Sequence, residues 1–173
     1  IGSYFTWEAD PWYETCKSWE ESCYIHAGIS GAEITFQGAD AQAFMSKLCM
    51  NNVMKWKAGR NKHLVMLNED GLIAAHCLSM KDDDNTYRIT AALPFAAIKL
   101  LRTRTYKVEM TSRDIFVFQF SGPKALTILE KLTKANLHDL AFLQYRTVTI
   151  PEINIDVEVN RIGMSGTIAY ELR

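Results

Sequence analysis

The stretch TFQGADAQAFMSKL, residues 35–48, decides the fold, because a strand that ends in Phe-Gln meets a glycine and then an amphipathic helix. Residues 118–132, FQFSGPKALTILEKL, repeat this order, with an alanine three residues after the glycine and a helix that ends in Lys-Leu. Matches of this length predict an internal duplication, in which Gly38 and Gly122 free the backbone for the turn. The alternative is that glycine and proline mark strand-to-helix junctions in unrelated segments.

Strands and hairpins around these two stretches predict an α+β fold, with mixed or antiparallel sheets and helices on one side. The clearest hairpin is HLVML, NEDG and LIAAHCLSM, residues 63–80, because a tight polar turn separates two apolar runs. An amphipathic helix is predicted after Asp10 and Pro11, since tryptophan and cysteine recur there at helical spacing. We also predict a flexible segment at residues 26–31, separate strands at 106–110 and 115–121, and a short helix at 136–143.

The composition argues against several classes of protein. The 173 residues are 48% hydrophobic and 23% charged, which is typical of a globular protein, and a net charge of -1 provides no field for nucleic acid or an anionic membrane. No apolar run approaches the roughly 20 residues of a membrane span, so we expect a cytoplasmic protein. The four cysteines form no C-x-x-C pair, and we expect reduced thiols that lie mostly in the core. Residue 1 is isoleucine and the last residues break off inside a predicted strand, so we expect part of a longer chain.

One imidazole, that of His76, interrupts the second apolar strand of the hairpin. Period two places His76, Leu78 and Met80 on one face of this strand and Cys77 on the other. Both faces are mainly apolar, so we expect a central strand with His76 buried or lining a cavity. An imidazole there can act as an acid, a base or a hydrogen-bond donor near neutral pH. The alternative is a core histidine whose ring is satisfied by a backbone carbonyl.

A carboxylate, that of Glu171, stands on the last predicted strand, in which only Glu171 and Thr167 are polar. A carboxylate in apolar surroundings needs a partner. Glu171 could accept two hydrogen bonds from the N–H edge of a heterocycle, as carboxylates do from guanidinium groups. The alternative is an exposed glutamate on an edge strand.

Other polar residues give weaker signals. Three consecutive aspartates, residues 82–84, point in different directions from a turn and indicate a solvated loop rather than a metal site. His63 and His138 have no partner that the sequence reveals, and we assign them no role. No P-loop, dinucleotide glycine fingerprint, nucleophile elbow or H-E-x-x-H motif occurs.

Four motifs, taken in order, resemble a known family. They are ITFQGADAQAFMSKL (34–48), AGRNKHLVMLNEDGLI (58–73), FQFSGPKALTILEKL (118–132) and RIGMSGTIAYEL (161–172). Their order and spacing resemble the folate-dependent aminomethyltransferase family, which comprises the glycine-cleavage T-protein and its relatives. The opening IGSYF, the tryptophan helix and the Gly-Met of GMSG are most similar to the branch of tetrahydrofolate-dependent O-demethylases of methoxylated aromatic acids. The resemblance covers nearly the whole chain.

The resemblance implies duplicated ferredoxin-like units of the family's folate-binding type, around a central cavity that holds tetrahydrofolate. Two related α+β units would span roughly residues 24–110 and 111–173, as the N-terminal part of a longer protein. The implied reaction transfers a methyl or aminomethyl group from a small donor to N5 of tetrahydrofolate, with O-demethylation of a methoxylated aromatic acid as the narrower expectation. The implied partners are the small donor and either the remainder of a longer chain or a partner subunit.

The resemblance also implies which residues form the site. The family's aspartate beside the folate nitrogen falls on His76, and its glutamate that grips the pterin edge falls on Glu171. Met80 and Met164 stand where relatives carry tyrosines. With Leu78 they are the expected contacts to the pterin, because methionine packs well against aromatic rings.

Departures from the family pattern leave three hypotheses open. The paired histidines of the demethylase branch fall on Ile29 and Ser30, and its substrate-binding arginine near AALP, residues 91–94, is missing. The first hypothesis is an enzyme that uses His76 as acid or base. The second is a non-catalytic folate-binding or structural protein of the same fold. The third is a subunit domain of a larger flavin-linked demethylating dehydrogenase, in which the folate module captures formaldehyde.

Overall fold

A computed structural model describes residues 11–90, 95–163 and 166–173. The chain divides into two compact units. The 30–115 unit is one, and the other, here called the terminal unit, combines the described residues before Ser30 with residues 116–173. The elements follow in the order α1 (Trp12–Glu21), β1 (Tyr24–Gln37), α2 (Ala41–Leu48), β2 (Arg60–Leu67), β3 (Ile73–Asp83), β4 (Thr86–Thr90), α3 (Phe95–Arg102), β5 (Glu109–Ser121), α4 (Ala125–Thr133), β6 (Tyr145–Ile150), β7 (Ile155–Asn160) and β8 (Ala169–Leu172).

The 30–115 unit contains a sheet in the order β2-β3-β4-β1, followed by the first part of β5, to Ile115. The pairs β2–β3, β3–β4 and β4–β1 are antiparallel. Period-two alternation turns Phe36, Leu64 and Ile89 to one face of this sheet, where they form a core with α2 and α3. Phe44 on α2 is fully buried, and its ring centroid lies 5.3 Å from that of Phe36. The helices therefore cover one face of the sheet, and the other face carries polar side chains together with Leu78 and Met80.

The terminal unit contains antiparallel strands in the order β5-β8-β7-β6, with β5 counted from Phe116. Its apolar face carries Phe120, Val159 and Tyr170, which pack against Leu129 of α4 and against Leu137 in the following loop. Here too the helix covers one face. The alternate residues of β5, β7 and β8 lie on the other face and include Glu171.

The two units share one order of elements. In each, a strand leads through a glycine into a helix, and three antiparallel strands follow. The last of these three pairs with the strand that precedes the glycine: β4 with β1, and β8 with β5. Gly38 has φ +155, and a Cβ at this position would lie 2.0 Å from the carbonyl oxygen of Lys107. Gly122 has φ +121, and its Cβ would lie 2.6 Å from the carbonyl oxygen of Ser22. Both turns therefore need glycine for its conformation and for the close approach of another backbone segment.

The predicted α+β class with antiparallel sheets is confirmed, but three local predictions are wrong. Residues 26–31 belong to β1 rather than to a flexible segment, because sheet pairing overrides the weak strand propensity of glycine. In place of the separate strands predicted at 106–110 and 115–121, one strand, β5, begins at Glu109 and runs through to Ser121; residues 106–108 are not part of it, and the polar residues in its middle are exposed. No helix forms at 136–143, where the Glu130 carboxylate accepts a hydrogen bond from the Leu137 N–H and a turn follows.

The N-terminal helix forms as predicted, but its apolar side is not part of either core. None of the residues of α1 is buried, and the Trp12 side chain is 69% exposed. Asp10, the predicted N-cap, lies outside the described residues. The prediction of core thiols holds for Cys49 and Cys77, whereas Cys23 is half-buried and Cys16 is exposed.

Candidate functional site

The β2–β3 hairpin that carries His76 closes through a tight turn at residues 68–71. The Asn68 side-chain oxygen accepts hydrogen bonds from the backbone N–H groups of Asp70 and Leu72, at 3.0 and 2.8 Å. Gly71 adopts φ +78, which glycine tolerates without strain. This local network fixes the turn, and pairing then runs from Leu67 opposite Ile73 to Arg60 opposite Lys81.

His76 lies on an interior strand, as predicted, but its imidazole is exposed rather than buried. The helices α2 and α3 cover the opposite face of the sheet, where Cys77 packs, so nothing from this core shields the His76 side. The ring of His63, on β2, stacks on the ring of His76 with 5.1 Å between centroids and 28° between planes. The structure therefore brings together two imidazoles on one open face, and the sequence analysis had left His63 without a role.

The two other predicted contacts on this strand continue the same face. Leu78 is half-buried, and its cross-strand neighbours are His63 and Thr90. Met80 is fully buried between Asn61 and Arg88. Accessibility on this face thus falls from His76 through Leu78 to Met80.

A charged network also lies on this face, and the sequence analysis did not find it. Glu33 of β1 is fully buried, and its carboxylate binds the guanidinium groups of Arg88 and Arg113. Arg88 binds both carboxylate oxygens of Asp82, at 2.8 and 2.7 Å. The register Leu78–Thr90–Glu33 places this network on the side of the sheet that carries His76. Burial of a carboxylate among paired arginines offsets the cost of removing its charge from water.

Glu171 lies on β8 in the terminal unit, on the face that α4 does not cover. Its side chain is 17% exposed, and its Oε2 accepts a hydrogen bond from Arg173 at 3.0 Å. The cross-strand neighbours of Glu171 are Gln119 on one side and Asn160 on the other. Within the part of the chain that the structure describes, Oε1 of Glu171 accepts no hydrogen bond. A half-buried carboxylate between two amides can bind a ligand that presents both N–H donors and acceptors.

Met164, the fourth predicted pterin contact, lies outside the described residues. Gly163 precedes it, and a Cβ at Gly163 would lie 2.5 Å from the Cβ of Ala169. This glycine therefore permits close packing against the start of β8, which positions Glu171 two residues later.

The cysteines do not supply a nucleophile near His76. Burial raises the pKa of the Cys77 thiol, and a hydrogen bond with the Ser79 hydroxyl offsets this effect only in part. Burial, together with the neighbouring Cys77, raises the pKa of Cys49 to about 12. Since the thiolate is the reactive form, both cysteines stay protonated and unreactive at neutral pH.

A cavity of about 570 Å³ lies in the 30–115 unit, between the hairpin tip and the helices α2 and α3. Its lining includes Leu48, Leu67, Phe95 and Lys99, and none of His76, Leu78 or Met80 belongs to it. The cavity is therefore separate from the open sheet face. Among residues 11–90, 95–163 and 166–173, no group of three or more histidine, cysteine or acidic side chains is arranged to hold a metal ion. No helix in those ranges has the length and apolar character that a membrane span requires.

Comparison with known proteins agrees with these observations. Residues 3–173 match the family model described as "GCVT N-terminal domain". A sesamin methylene transferase of Sinomonas sp. (strain No.22) is 33% identical over 159 residues, which cover 88% of this chain and 34% of the relative. An aminomethyltransferase of Oceanobacillus iheyensis is 24% identical over 179 residues, which cover 96% of this chain and 48% of the relative. The chain thus spans a third to a half of the length of these curated relatives.

Two solved structures show the same fold. The glycine cleavage system aminomethyltransferase T of Bartonella henselae superposes with a TM-score of 0.74 at 16% identity, covering 92% of this chain and 44% of that one. A chain of the heterotetrameric sarcosine oxidase of Corynebacterium sp. U-96 superposes with a TM-score of 0.57 at 14% identity, covering 87% of this chain and 74% of that one.

Proposed function

The chain belongs to the GCVT N-terminal domain family, and from this membership we propose that it acts in folate-dependent one-carbon transfer. The group transferred is a methyl, methylene or aminomethyl group, and its acceptor is tetrahydrofolate. Tetrahydrofolate, when bound, supplies the nitrogen that takes up the one-carbon group. The residues of this chain bind the cofactor and move a proton.

The environment of Glu171 is the observation that carries the proposal. One carboxylate oxygen accepts a hydrogen bond from Arg173, and among the described residues the other accepts none, so the side chain is oriented yet can accept further hydrogen bonds. A reduced pterin presents adjacent N–H groups along one edge, and a carboxylate matches such a pair as it matches the fork of an arginine. The amide of Gln119, a half-buried cross-strand neighbour, adds a donor and an acceptor, whereas the buried Asn160 amide donates to Glu158 and shapes the other side. The donor set therefore fits a pterin, and Glu171 is proposed as its anchor.

His76 is proposed as the group that moves a proton. A nucleophilic amine loses a proton during transfer, and a leaving oxygen or nitrogen gains one. An imidazole can perform either step near neutral pH, because the ordinary pKa of histidine, about 6.5, lies close to it. The stack with His63 restricts the orientation of the ring. Leu78 and Met80, on the same side of β3, and Met164 complete the proposed apolar contacts of the pterin.

The donor is proposed to be an aromatic compound that carries its one-carbon unit on oxygen. Two points support this class: the 33% identical relative is named for methylene transfer from sesamin, and the sequence resembles the aromatic O-demethylase branch. Demethylation of a methoxylated aromatic acid is the narrower form of the proposal. The remainder of a longer chain or a partner subunit would supply further contacts.

A folate-binding protein without catalysis is the second candidate, and the exposure of His76 favours it. Proton transfer is most effective in a site that excludes water, and this imidazole is open to solvent in the described structure. Such a protein would retain Glu171 as the carboxylate anchor, whereas His76 replaces the aspartate that the resemblance implies at that position.

Calorimetric titration with tetrahydrofolate tests the proposal. We expect the wild-type protein to bind, Glu171→Gln to weaken binding by roughly tenfold or more, and His76→Ala to bind with nearly unchanged affinity. Glu152→Gln is the matched control, because Glu152 is an exposed glutamate of the same unit that is remote in sequence from β8. Lack of binding by the wild-type protein contradicts both candidates. Binding by wild type without turnover of any methoxylated or methylenedioxy donor favours the second.

A further inference from the structure

Arg113 is held in place on the open face of the 30–115 unit although its side chain is 64% exposed. Its Nε and Nη2 both donate to Oε1 of Glu33, at 2.9 and 2.6 Å. Glu33 is fully buried, so the carboxylate that holds this arginine is itself fixed. An exposed arginine is ordinarily free to sample many rotamers, and this one is not.

The hydrogen bonds of Arg113 leave one edge of its guanidinium group open. A guanidinium group can bind carboxylates at two edges: the side edge of Nε and one terminal nitrogen, and the end edge of the two terminal nitrogens. Glu33 occupies the side edge. Within the described residues, Nη1 donates to no partner, so the end edge faces outward with two N–H groups available. A carboxylate that arrives there meets a cation that is already oriented.

The second arginine of the network does not offer such an edge. Arg88 is 11% exposed and uses Nε and Nη2 for Asp82 and Nη1 for Glu33. Its charge offsets that of Asp82, and Arg113 provides the second cation beside Glu33. Glu109, on the same side of β5 as Arg113, is four residues away, or about 13 Å along an extended strand. Repulsion from its exposed carboxylate is largely screened at that distance in physiological salt.

From this geometry we propose that Arg113 is an anchor for a carboxylate group of a bound ligand. Its strand lies three strands from β3, across β4 and β1, which is about 14 Å at the usual strand spacing. Glu33, which holds Arg113, is level with Leu78, so His76 lies a further two residues, about 7 Å, along the strands, and a ligand with its reactive end at His76 must extend along this face to place a charged end at Arg113. The inference rests on the proposed function and deepens it. The carboxylate belongs either to the glutamyl tail of tetrahydrofolate or to an aromatic acid that serves as the donor.

Paired ligands with and without the carboxylate distinguish these two sources. The proteins are wild type, Arg113→Ala, Arg113→Lys and, as control, Arg102→Ala, which removes an exposed arginine from the end of α3. The ligands are tetrahydrofolate, 6-methyltetrahydropterin, which lacks the glutamyl tail, 4-methoxybenzoate and its neutral amide. Affinities are measured by calorimetry at two salt concentrations.

If the tail binds Arg113, Arg113→Ala weakens the affinity for tetrahydrofolate by about tenfold, equivalent to about 1.4 kcal/mol, and leaves the affinity for 6-methyltetrahydropterin unchanged. If the donor carboxylate binds Arg113, the same variant weakens the affinity for 4-methoxybenzoate and leaves the affinity for its neutral amide unchanged. Arg113→Lys should recover only part of the loss, because a lysine provides the charge without the planar fork. Either pattern supports the anchor. The proposed anchor is overturned if Arg113→Ala changes the affinities for charged and neutral ligands alike. It is also overturned if the affinities of Arg113→Ala match those of Arg102→Ala.

A measurement on the wild-type protein keeps the test independent of the stability of the variants. The Nε–H signal of Arg113 is followed by NMR during titration with 4-methoxybenzoate and with the amide. We expect a saturable shift with the acid alone, and an equal response to both ligands contradicts the anchor. If the wild-type protein binds neither pterin, the proposed function fails, whereas the comparison of acid with amide still decides the role of Arg113.

Discussion

The two units share one order of strands but differ in the faces that their helices leave uncovered. In the 30–115 unit this face carries stacked imidazoles and a carboxylate that is bound between two arginines. In the terminal unit it carries a carboxylate between two amides, with an arginine on one of its oxygens. The shared elements are set by the core and by the glycine turns. The chemistry depends on the alternate residues of the same strands, which the core does not constrain.

The difference extends to the two buried or half-buried carboxylates. Glu33 is fully buried and both its neighbours are cations, so its charge is offset within the protein. Glu171 is partly exposed, and within residues 11–90, 95–163 and 166–173 only one of its oxygens accepts a hydrogen bond. We therefore interpret Glu33 as a residue that organises its face and Glu171 as a residue that binds a ligand.

The largest expected effect concerns the two glycine turns. Gly38→Ala places a methyl group 2.0 Å from a backbone oxygen, whereas Gly122→Ala places one 2.6 Å away, and both impose a left-handed φ on alanine. We expect Gly38→Ala to lower the free energy of unfolding by about 3–5 kcal/mol and Gly122→Ala to lower it somewhat less, as measured by urea unfolding. Gly31→Ala is the control, since a Cβ there meets nothing within 4 Å, and we expect a change within about 1 kcal/mol. Equal, small effects at all three glycines would show that the turns do not share this constraint.

The second prediction separates the two carboxylates by their stability effects. Glu33→Gln removes the charge that holds two arginines and should destabilise the protein by about 2–4 kcal/mol, because it leaves Arg88 without one of its ion-pair partners. Glu171→Gln removes a single ion pair, in which Arg173 is buried but the carboxylate is 17% exposed, and should cost less, about 1–2 kcal/mol. Chemical denaturation of both variants checks the order. A larger loss for Glu171→Gln would make Glu171 the structural residue of the pair.

The third and smallest effect is the loss of stability at low pH. Each unit contains a carboxyl group whose pKa is lowered, Glu130 in the terminal unit and Glu69 in the 30–115 unit, and the two can be compared. Hydrogen bonds from the Leu137 backbone N–H and then from His138 lower the pKa of Glu130, and a hydrogen bond from Lys99 lowers that of Glu69. A carboxyl group whose folded pKa is lowered adds stability above its ordinary pKa, and this stability is lost as the pH falls through the folded value. We therefore expect Glu130→Gln to lower the melting temperature at pH 7, with the difference from wild type shrinking below about pH 4.5.

Glu69→Gln is the comparison for this acid effect. Both carboxylates are solvent-screened, but Glu130 also binds a backbone N–H, whereas Glu69 binds one flexible lysine. We expect the smaller and more salt-sensitive change for Glu69→Gln. A melting temperature of Glu130→Gln that follows the wild type at every pH would show that the negative charge of Glu130 adds no stability.

Much of the fold could be predicted because its signals are local. The repeated strand, glycine and helix stretch, the NEDG turn and the alternation along TYRIT each lie within a few residues. The α+β class and the family are confirmed by the structure and the comparisons. The failures at 26–31 and 136–143 occurred where pairing with distant strands, or a side chain such as that of Glu130, overrides local propensity.

The site was less predictable because it depends on pairings that the sequence does not reveal. Glu33 meets Arg88 and Arg113 across 55 and 80 residues. The stack of His63 on His76 depends on one irregularity: the register shifts by one residue between Met66 and Leu67. Without that bulge, the register set by the pairing of Leu67 with Ile73 would continue along the hairpin and place Leu64, rather than Val65, opposite His76. His63 would then lie on the face opposite to that of His76. A clue was available for Glu33, since it opens the apolar strand AEITF much as Glu171 interrupts AYEL.

The central claim is that Glu171 anchors the pterin of tetrahydrofolate. Its most direct test follows, by NMR, the side-chain amide signals of Gln119, the cross-strand neighbour of Glu171, while tetrahydrofolate is added to wild type and to Glu171→Gln. We predict that the Gln119 signals shift with saturation in the wild type, that the variant needs roughly tenfold more ligand for the same shift, and that the His138 signal stays unchanged in both. Binding that leaves the Gln119 signals in place, or a Gln119 shift that does not depend on Glu171, would contradict the account.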